Sequence, residues 1–216
     1  MLRFTTAGES HGQSLVSILE GAPAGIPLVS ADIDVELGRR QQGYGRGRRM
    51  QIEQDTAEIL SGVRGGFTIG SPIAMLIRNR DWKNWSEIMA VGPDPNPPQA
   101  APLDADSKSP GKPPLRARAV TRPRPGHADL AGMLKYDRDD ARDILERASA
   151  RETTARVAAA AICRKLLAEL GVTIGSHIVE LGGIAASVTA ELPLDLNEAA
   201  DTSPLRTLDS DAEVRM

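Results

Sequence analysis

A mixed α+β fold is what this sequence predicts, and three stretches predict it. Short apolar segments with strand-like limits open the chain. A charge-ordered amphipathic helix follows them, and a long alanine-rich helix starts near residue 149. The 216 residues suffice for a real core and read as a single domain over 1–216.

Leu2 to Thr6 reads as the first strand and Leu15 to Glu20 as the second. Ala7-Gly8-Glu9-Ser10-His11-Gly12 lies between them, with two glycines bracketing an acid, a hydroxyl and an imidazole. Ser10 and His11 are not a nucleophile–base pair, because chain neighbours point apart and triads are assembled in space. A serine hydrolase is therefore rejected. His11 reads as a positioned acid/base or an anion contact, against the plainer reading of a turn histidine.

Gly21 to Pro27 is a turn, and Ser30 reads as the N-cap of the first helix. Asp32 and Asp34 fall in its first turn and Arg39 and Arg40 in its last, an order that suits the helix dipole. Ile33 and Leu37 share its apolar face. The next stretch, from Arg39 to Arg49, carries five arginines and three glycines. Arginine favours bidentate contact to phosphate or carboxylate, so this loop can wrap an anion. Such runs also serve as solvated basic loops or contact nucleic acid.

Ile59-Leu60 predicts a short strand, and Pro72 to Ile77 a buried one ended by Arg78-Asn79. Asp81 to Trp85 reads as a loop or short helix whose two tryptophans are surface anchors rather than a cover over a site. Pro93 to Pro125 holds ten of the fifteen prolines and six basic residues, an extended excursion within the domain. It delivers Arg122-Pro123-Arg124-Pro125-Gly126-His127-Ala128-Asp129, where proline and glycine hold the imidazole of His127 in one place. Arg138 to Glu146 predicts a short helix. The long helix spans about Ser149 to Leu170 and stops at Gly171. Its apolar stripe is Ala155, Ala158, Ala159, Ile162, Cys163, Leu166 and Leu170. Arg147-Ala148-Ser149 at its start reads as a phosphate cradle, through free N–H groups and the positive dipole end. Val172 to Leu181 alternates like a strand, with His177 structural or on the surface, and Ala185 to Leu194 adds another. Ser203 to Arg206 is a turn, and a helix begins near Asp209.

Hydrophobic residues make up 41%, charged residues 25% and aromatics 3%. So few aromatics argue against a stacking platform for single-stranded nucleic acid. The net charge of −3 confines any anion binding to local patches. Cys163 is the lone cysteine and reads as a small core residue, which fits a reducing compartment. No apolar run approaches a membrane span, and the start has no signal-peptide pattern.

Four blocks together, Ala7 to Gly12, Gly43 to Arg49, Arg122 to Asp129 and Glu146 to Thr153, resemble the signatures of the chorismate synthases, in that family's order. The resemblance implies a β-α-β sandwich with helices packed between antiparallel sheets. It implies a carbon–oxygen lyase acting on a phosphate ester: anti-1,4 elimination of phosphate from 5-enolpyruvylshikimate 3-phosphate to give chorismate, the last step of the shikimate pathway. Reduced FMN is required, with NADPH a candidate reductant. By the same resemblance His11 and His127 are catalytic, His11 near the departing phosphate and His127 facing the flavin. Ser10, Arg40, Arg46 and Arg49 bind substrate, with Arg40 and Arg46 also meeting NADPH in a bifunctional enzyme. Arg147, Ala148 and Ser149 contact FMN, and no metal is implied. A cytoplasmic homotetramer without nucleic-acid or membrane partners is expected. Family members are considerably longer, so the chain is expected to be an N-terminal portion, inactive alone. A non-catalytic homologue or a nucleic-acid-binding module are the competing readings.

Overall fold

A computed structural model describes residues 1–45, 54–93, 119–187 and 191–216. β1 (Arg3–Gly8) and β2 (Ser14–Glu20) form an antiparallel hairpin with Arg3 opposite Glu20 and Gly8 opposite Leu15. β3 (Glu58–Ile59) is short, and β4 (Val63–Arg64) pairs with β5 (Phe67–Thr68) as a small separate ladder. β6 (Ile73–Arg78) runs antiparallel between β2 and β3, so the main sheet has the order β1-β2-β6-β3.

Period-two alternation turns Leu15, Ser17 and Leu19 of β2 and Ile73, Met75 and Ile77 of β6 to one buried face. Two helices cover that face, α1 (Ser30–Gln41) and α4 (Thr153–Glu169), packed on each other and with α4 against β2. Ile33 and Leu37 of α1 meet Ala155, Ala158, Ala159, Ala161 and Ile162 of α4 in one core cluster. With alanine as the main contact residue, the helices can approach closely and aromatics are dispensable.

Two further helices, α2 (Asp129–Tyr136) and α3 (Arg142–Ala148), precede a single 3₁₀ turn at Ala150–Glu152 that leads into α4. α2 and α3 touch because residue 132 is glycine: a β-carbon there would lie 2.4 Å from Ile144 Cγ2. After α4 come β7 (Glu180–Leu181), β8 (Ile184–Ala185), α5 (Leu196–Asp201) and α6 (Ser210–Arg215).

The α+β expectation holds, as do both N-terminal strands, α1, β6, α4 and α6. Several details differ. Ser30 is the first helical residue rather than the cap: Val29 caps the helix, its N–H donating to Asp32 Oδ2 at 2.8 Å. The short helix falls on 142–148 rather than 138–146, and α2 went unforeseen. The segment from Val172 to Leu181 is strand only at its end, because among the described residues it finds β8 and one bridge from Ile178 to Thr207 but no larger sheet to join. Ala185 to Leu194 is strand only at Ala185, and α5 follows instead. Leu170 is exposed, so the α4 stripe fades before the helix ends. Arg46, Arg49 and most of the proline-rich excursion, at 94–118, lie outside the described residues.

Candidate active site

The β1–β2 hairpin cannot close by a tight turn, because five residues separate its strands. Gly8 leaves β1 at φ +97°, where a β-carbon would sit 2.3 Å from the Ser14 carbonyl oxygen. Gly12 donates its N–H to the Glu9 carbonyl at 3.1 Å, folding the loop back. Asn79, just past β6, clamps the loop's far end: its Nδ2 donates to the Gly12 carbonyl at 2.9 Å and its N–H to the Gln13 carbonyl at 3.0 Å.

α3 grips the near end. The Ser10 N–H donates to the Glu146 carbonyl at 2.9 Å, and the His11 N–H to Glu146 Oε2 at 2.7 Å. The His11 ring places Nδ1 2.8 Å from Oε1 and 3.0 Å from Oε2 of the same carboxylate. Glu146 is 1% exposed. Burial pushes its carboxyl upward, but the His11 hydrogen bonds and the nearby Arg142 charge outweigh that and hold it below the ordinary range. Glu9 goes the other way, raised by loss of solvent and by the charges of Glu146 and Asp143.

Trp85 stacks on the His11 ring at 3.9 Å between centroids, with Arg142 against its own ring at 5.6 Å. Its indole N–H is tied to Asp81 Oδ2 at 2.8 Å. Trp85, expected to be a surface anchor rather than a cover, therefore covers the histidine, and that expectation is corrected.

Most of the remaining candidates lie where α3 gives way to α4. Arg147 and Ala148 close α3 and Ser149 caps the 3₁₀ turn, so they do not open the long helix, which begins at Thr153 rather than near Ser149, and the expected cradle at its free N-terminus is not made by them. Ser149 Oγ donates to the buried Ser10 Oγ at 3.1 Å. Arg147 Nη2 donates to Thr6 O at 2.9 Å and to Thr6 Oγ1 at 2.6 Å, and lies 3.2 Å from Glu152 Oε1. Ala148 is exposed beside them. Arg40 reaches across from α1: Nε donates to Thr153 Oγ1 at 3.0 Å and Nη2 to the Ala150 carbonyl at 2.8 Å. Behind this turn Arg151 forms a buried ion pair with Asp55, Nη2 to Oδ1 at 3.0 Å. The arginine-rich connection thus leaves from Arg40 and returns at Asp55, with both ends fixed on the first turn of α4.

His127 is held by a second carboxylate. Its Nδ1 bonds Asp129 Oδ1, and Asp129 is fully buried at the start of α2. Arg124 donates to Asp129 Oδ2 from its backbone N–H at 3.0 Å and from Nε at 2.9 Å. Those Arg124 bonds, against the opposing effect of burial, hold the Asp129 carboxyl far below the usual carboxylate range. The Glu146 charge also raises Arg124, so the field of the His11 partner reaches the His127 cluster.

Ser10, His11, Arg40, Arg147, Ala148 and Ser149 are therefore gathered around α3 and the start of α4. His127 is held apart from them, on Arg124 and Asp129 at the entrance to α2, the helix that packs on α3. Sequence reasoning missed Glu146, Trp85, Asp55 and Thr6. Glu146 carried one signal, its place at the head of the Glu146 to Thr153 block. For an anionic group such as the FMN phosphate the residues fit at one point. Arg147 Nη1 is closed off from solvent with no hydrogen-bond partner among the described residues, a donor that a phosphate oxygen would satisfy.

A family model described as chorismate synthase matches residues 2–216. A curated chorismate synthase of Bacillus cytotoxicus is 52% identical over all 216 residues, which cover 52% of its length. Chorismate synthase 1 of Bacillus thuringiensis is 51% identical and the Listeria welshimeri enzyme 48%, each with the same coverage. The chain thus spans about half the length of the curated relatives it matches. A solved structure titled "Crystal Structure of Chorismate Synthase" superposes with a TM-score of 0.70 at 40% identity, over 99% of this chain and 50% of that one. Sequence signatures, fold and site lead to one conclusion, that this chain belongs to the chorismate synthase family.

Proposed function

We propose that this chain supplies the two-histidine half of a chorismate synthase active site. The reaction is the anti-1,4 elimination of phosphate from 5-enolpyruvylshikimate 3-phosphate. A ring C–H proton is lost and its electron pair forms a new ring double bond; the existing ring double bond shifts by one position, and the C–O bond breaks with its pair leaving on phosphate. One observation carries the reading: an imidazole, His11, fixed at ring and backbone by a buried carboxylate beside serine and arginine donors.

The substrate brings two carboxylates and a phosphate. Arg40, Arg46, Arg49 and Ser10 would bind it, supplying local positive charge on a chain of net charge −3. His11 would hold a proton at Nε2 and pass it to the departing phosphate oxygen. A positioned general acid gives about 10²–10⁴ in rate, or roughly 3–5 kcal/mol. Reduced FMN, when bound, supplies electron density for the C–O cleavage and a basic site for the ring proton. Arg147, Ala148 and Ser149 would hold it, and His127 would face it and hold a proton against it. NADPH serves as reductant where the enzyme reduces its own flavin, meeting Arg40 and Arg46. The assembly is a cytoplasmic homotetramer. Among the described residues no helix is long and apolar enough to cross a membrane.

The test is an anaerobic assay with chemically reduced FMN and 5-enolpyruvylshikimate 3-phosphate, read as chorismate and phosphate release. Two proteins are compared: the 216-residue chain, and the same residues joined to the remaining half of the Bacillus cytotoxicus relative. Turnover by the joined protein, abolished by His11→Ala, supports the reading. A joined protein that folds and binds substrate without turnover refutes the proposed roles.

A further inference from the structure

The position of Glu146 reaches beyond an imidazole in the right place. An imidazole has two nitrogens, and a neutral ring carries its proton on either one. Glu146 settles that choice here. Its carboxylate is 1% exposed, and both oxygens lie within 3.0 Å of Nδ1. One of them also accepts the His11 backbone N–H at 2.7 Å. A buried ionised carboxylate can only accept, so the pair is satisfied when Nδ1 carries hydrogen.

We propose that Glu146 is the positioning residue of His11, holding the imidazole as its Nδ1–H form and so reserving Nε2 for the proton exchanged with an anionic ligand. Three further contacts narrow the ring's freedom. Trp85 covers one face at 3.9 Å, which opposes rotation about χ2. The peptide bonds to Asn79 and to the Glu146 carbonyl fix the loop under it. The His11 hydrogen bonds, with a smaller contribution from Arg142 at 3.7 Å from Oε1, keep the carboxylate ionised despite its burial. Two other charges couple to Glu146: Glu9, whose own carboxyl its charge helps to raise, and Arg124, which it also raises.

The role of the dyad in turnover rests on the elimination reaction proposed above, but the tautomer does not. It can be read in the 216-residue chain by ¹⁵N NMR of the histidine rings, which separates protonated from unprotonated ring nitrogens. In the unsubstituted chain, above the titration of His11, the protonated signal belongs to Nδ1. An unsubstituted chain with the proton on Nε2 overturns the proposal, whatever any variant does. In Glu146→Gln the side-chain amide offers a neutral acceptor at most, and a mixture of both tautomers is expected. A Gln variant of unchanged tautomer population and normal circular dichroism overturns it equally. In the joined protein used for the elimination assay, Glu146→Gln lowers kcat by at least tenfold and up to about 10⁴-fold, with KM changed less than threefold. A lost tautomer with full kcat removes Glu146 from the reaction. The elimination reading fails separately: the unsubstituted joined protein without turnover refutes that reading and leaves the tautomer result standing.

Discussion

Replacing Arg151 by methionine strips the counter-charge from a carboxylate that solvent cannot reach. The side chains of Arg151 and Asp55 are 4% and 3% exposed and meet at 3.0 Å. Among the described residues, the hydrogen-bond partner left to Asp55 is Thr154 Oγ1, at 3.4 Å, a long neutral contact. Removing one partner of a buried ion pair costs about 3–5 kcal/mol, because the other charge stays behind desolvated. With a urea m-value of about 2.5 kcal/mol/M for a chain this size, the unfolding midpoint falls by about 1–2 M. Urea titrations followed by far-UV circular dichroism measure it. The double variant Asp55→Leu/Arg151→Met removes both charges and recovers most of the loss. A midpoint shift below about 0.3 M in the single variant, or a double variant no better than the single, would refute the account of a desolvated pair.

Three other outcomes are expected. His11→Ala and His127→Ala each lose most turnover of the joined protein while keeping native circular dichroism, and near-normal turnover in either would remove that histidine from the mechanism. Gly132→Ala drives a methyl group against Ile144 and parts α2 from α3. Overpacking of about 1–3 kcal/mol is partly offset by about 1 kcal/mol of helix propensity, so Tm falls by a few degrees in a thermal scan. Asp209 caps α6, and the N–H groups of Ser187 and Ala212 lead in pulling its carboxyl down to about 2. A depressed folded-state value means its contribution is complete above the unfolded value near 3.8 and is lost as pH falls through about 2. Asp209→Asn therefore lowers stability at pH 7 and flattens the acid limb between about pH 4 and pH 2, as read by chemical denaturation across pH.

Much of the site was legible because its residues are local and chemically unusual. Glycines on either side of His11, prolines ahead of His127 and small residues ahead of α4 announce themselves without knowledge of the fold. The partners do not. Glu146 is 135 positions from His11 and meets it only because α3 packs beside the hairpin. Trp85 reads as an anchor until the loop after β6 lays it on the imidazole. α2 escaped because it begins within the histidine block, where prolines and a basic stretch hide the apolar period. The strand expected from Val172 shows the converse: alternation gives a segment two faces, but pairing requires a neighbour with open backbone groups, and among the described residues it found two-residue β8 and one bridge to Thr207.

The fixing of Arg40 to Ala150 and Thr153, and of Asp55 to Arg151, has an evolutionary consequence. The two flanks of the connection that carries the remaining arginines are each moored, at Arg40 and at Asp55. Closing a longer loop is inexpensive, about 0.6 kcal/mol for each doubling. Insertions and deletions between the moorings can therefore accumulate across lineages with little effect on stability. Purifying selection would concentrate on the side chains that make the moorings, Arg40, Thr153, Asp55 and Arg151.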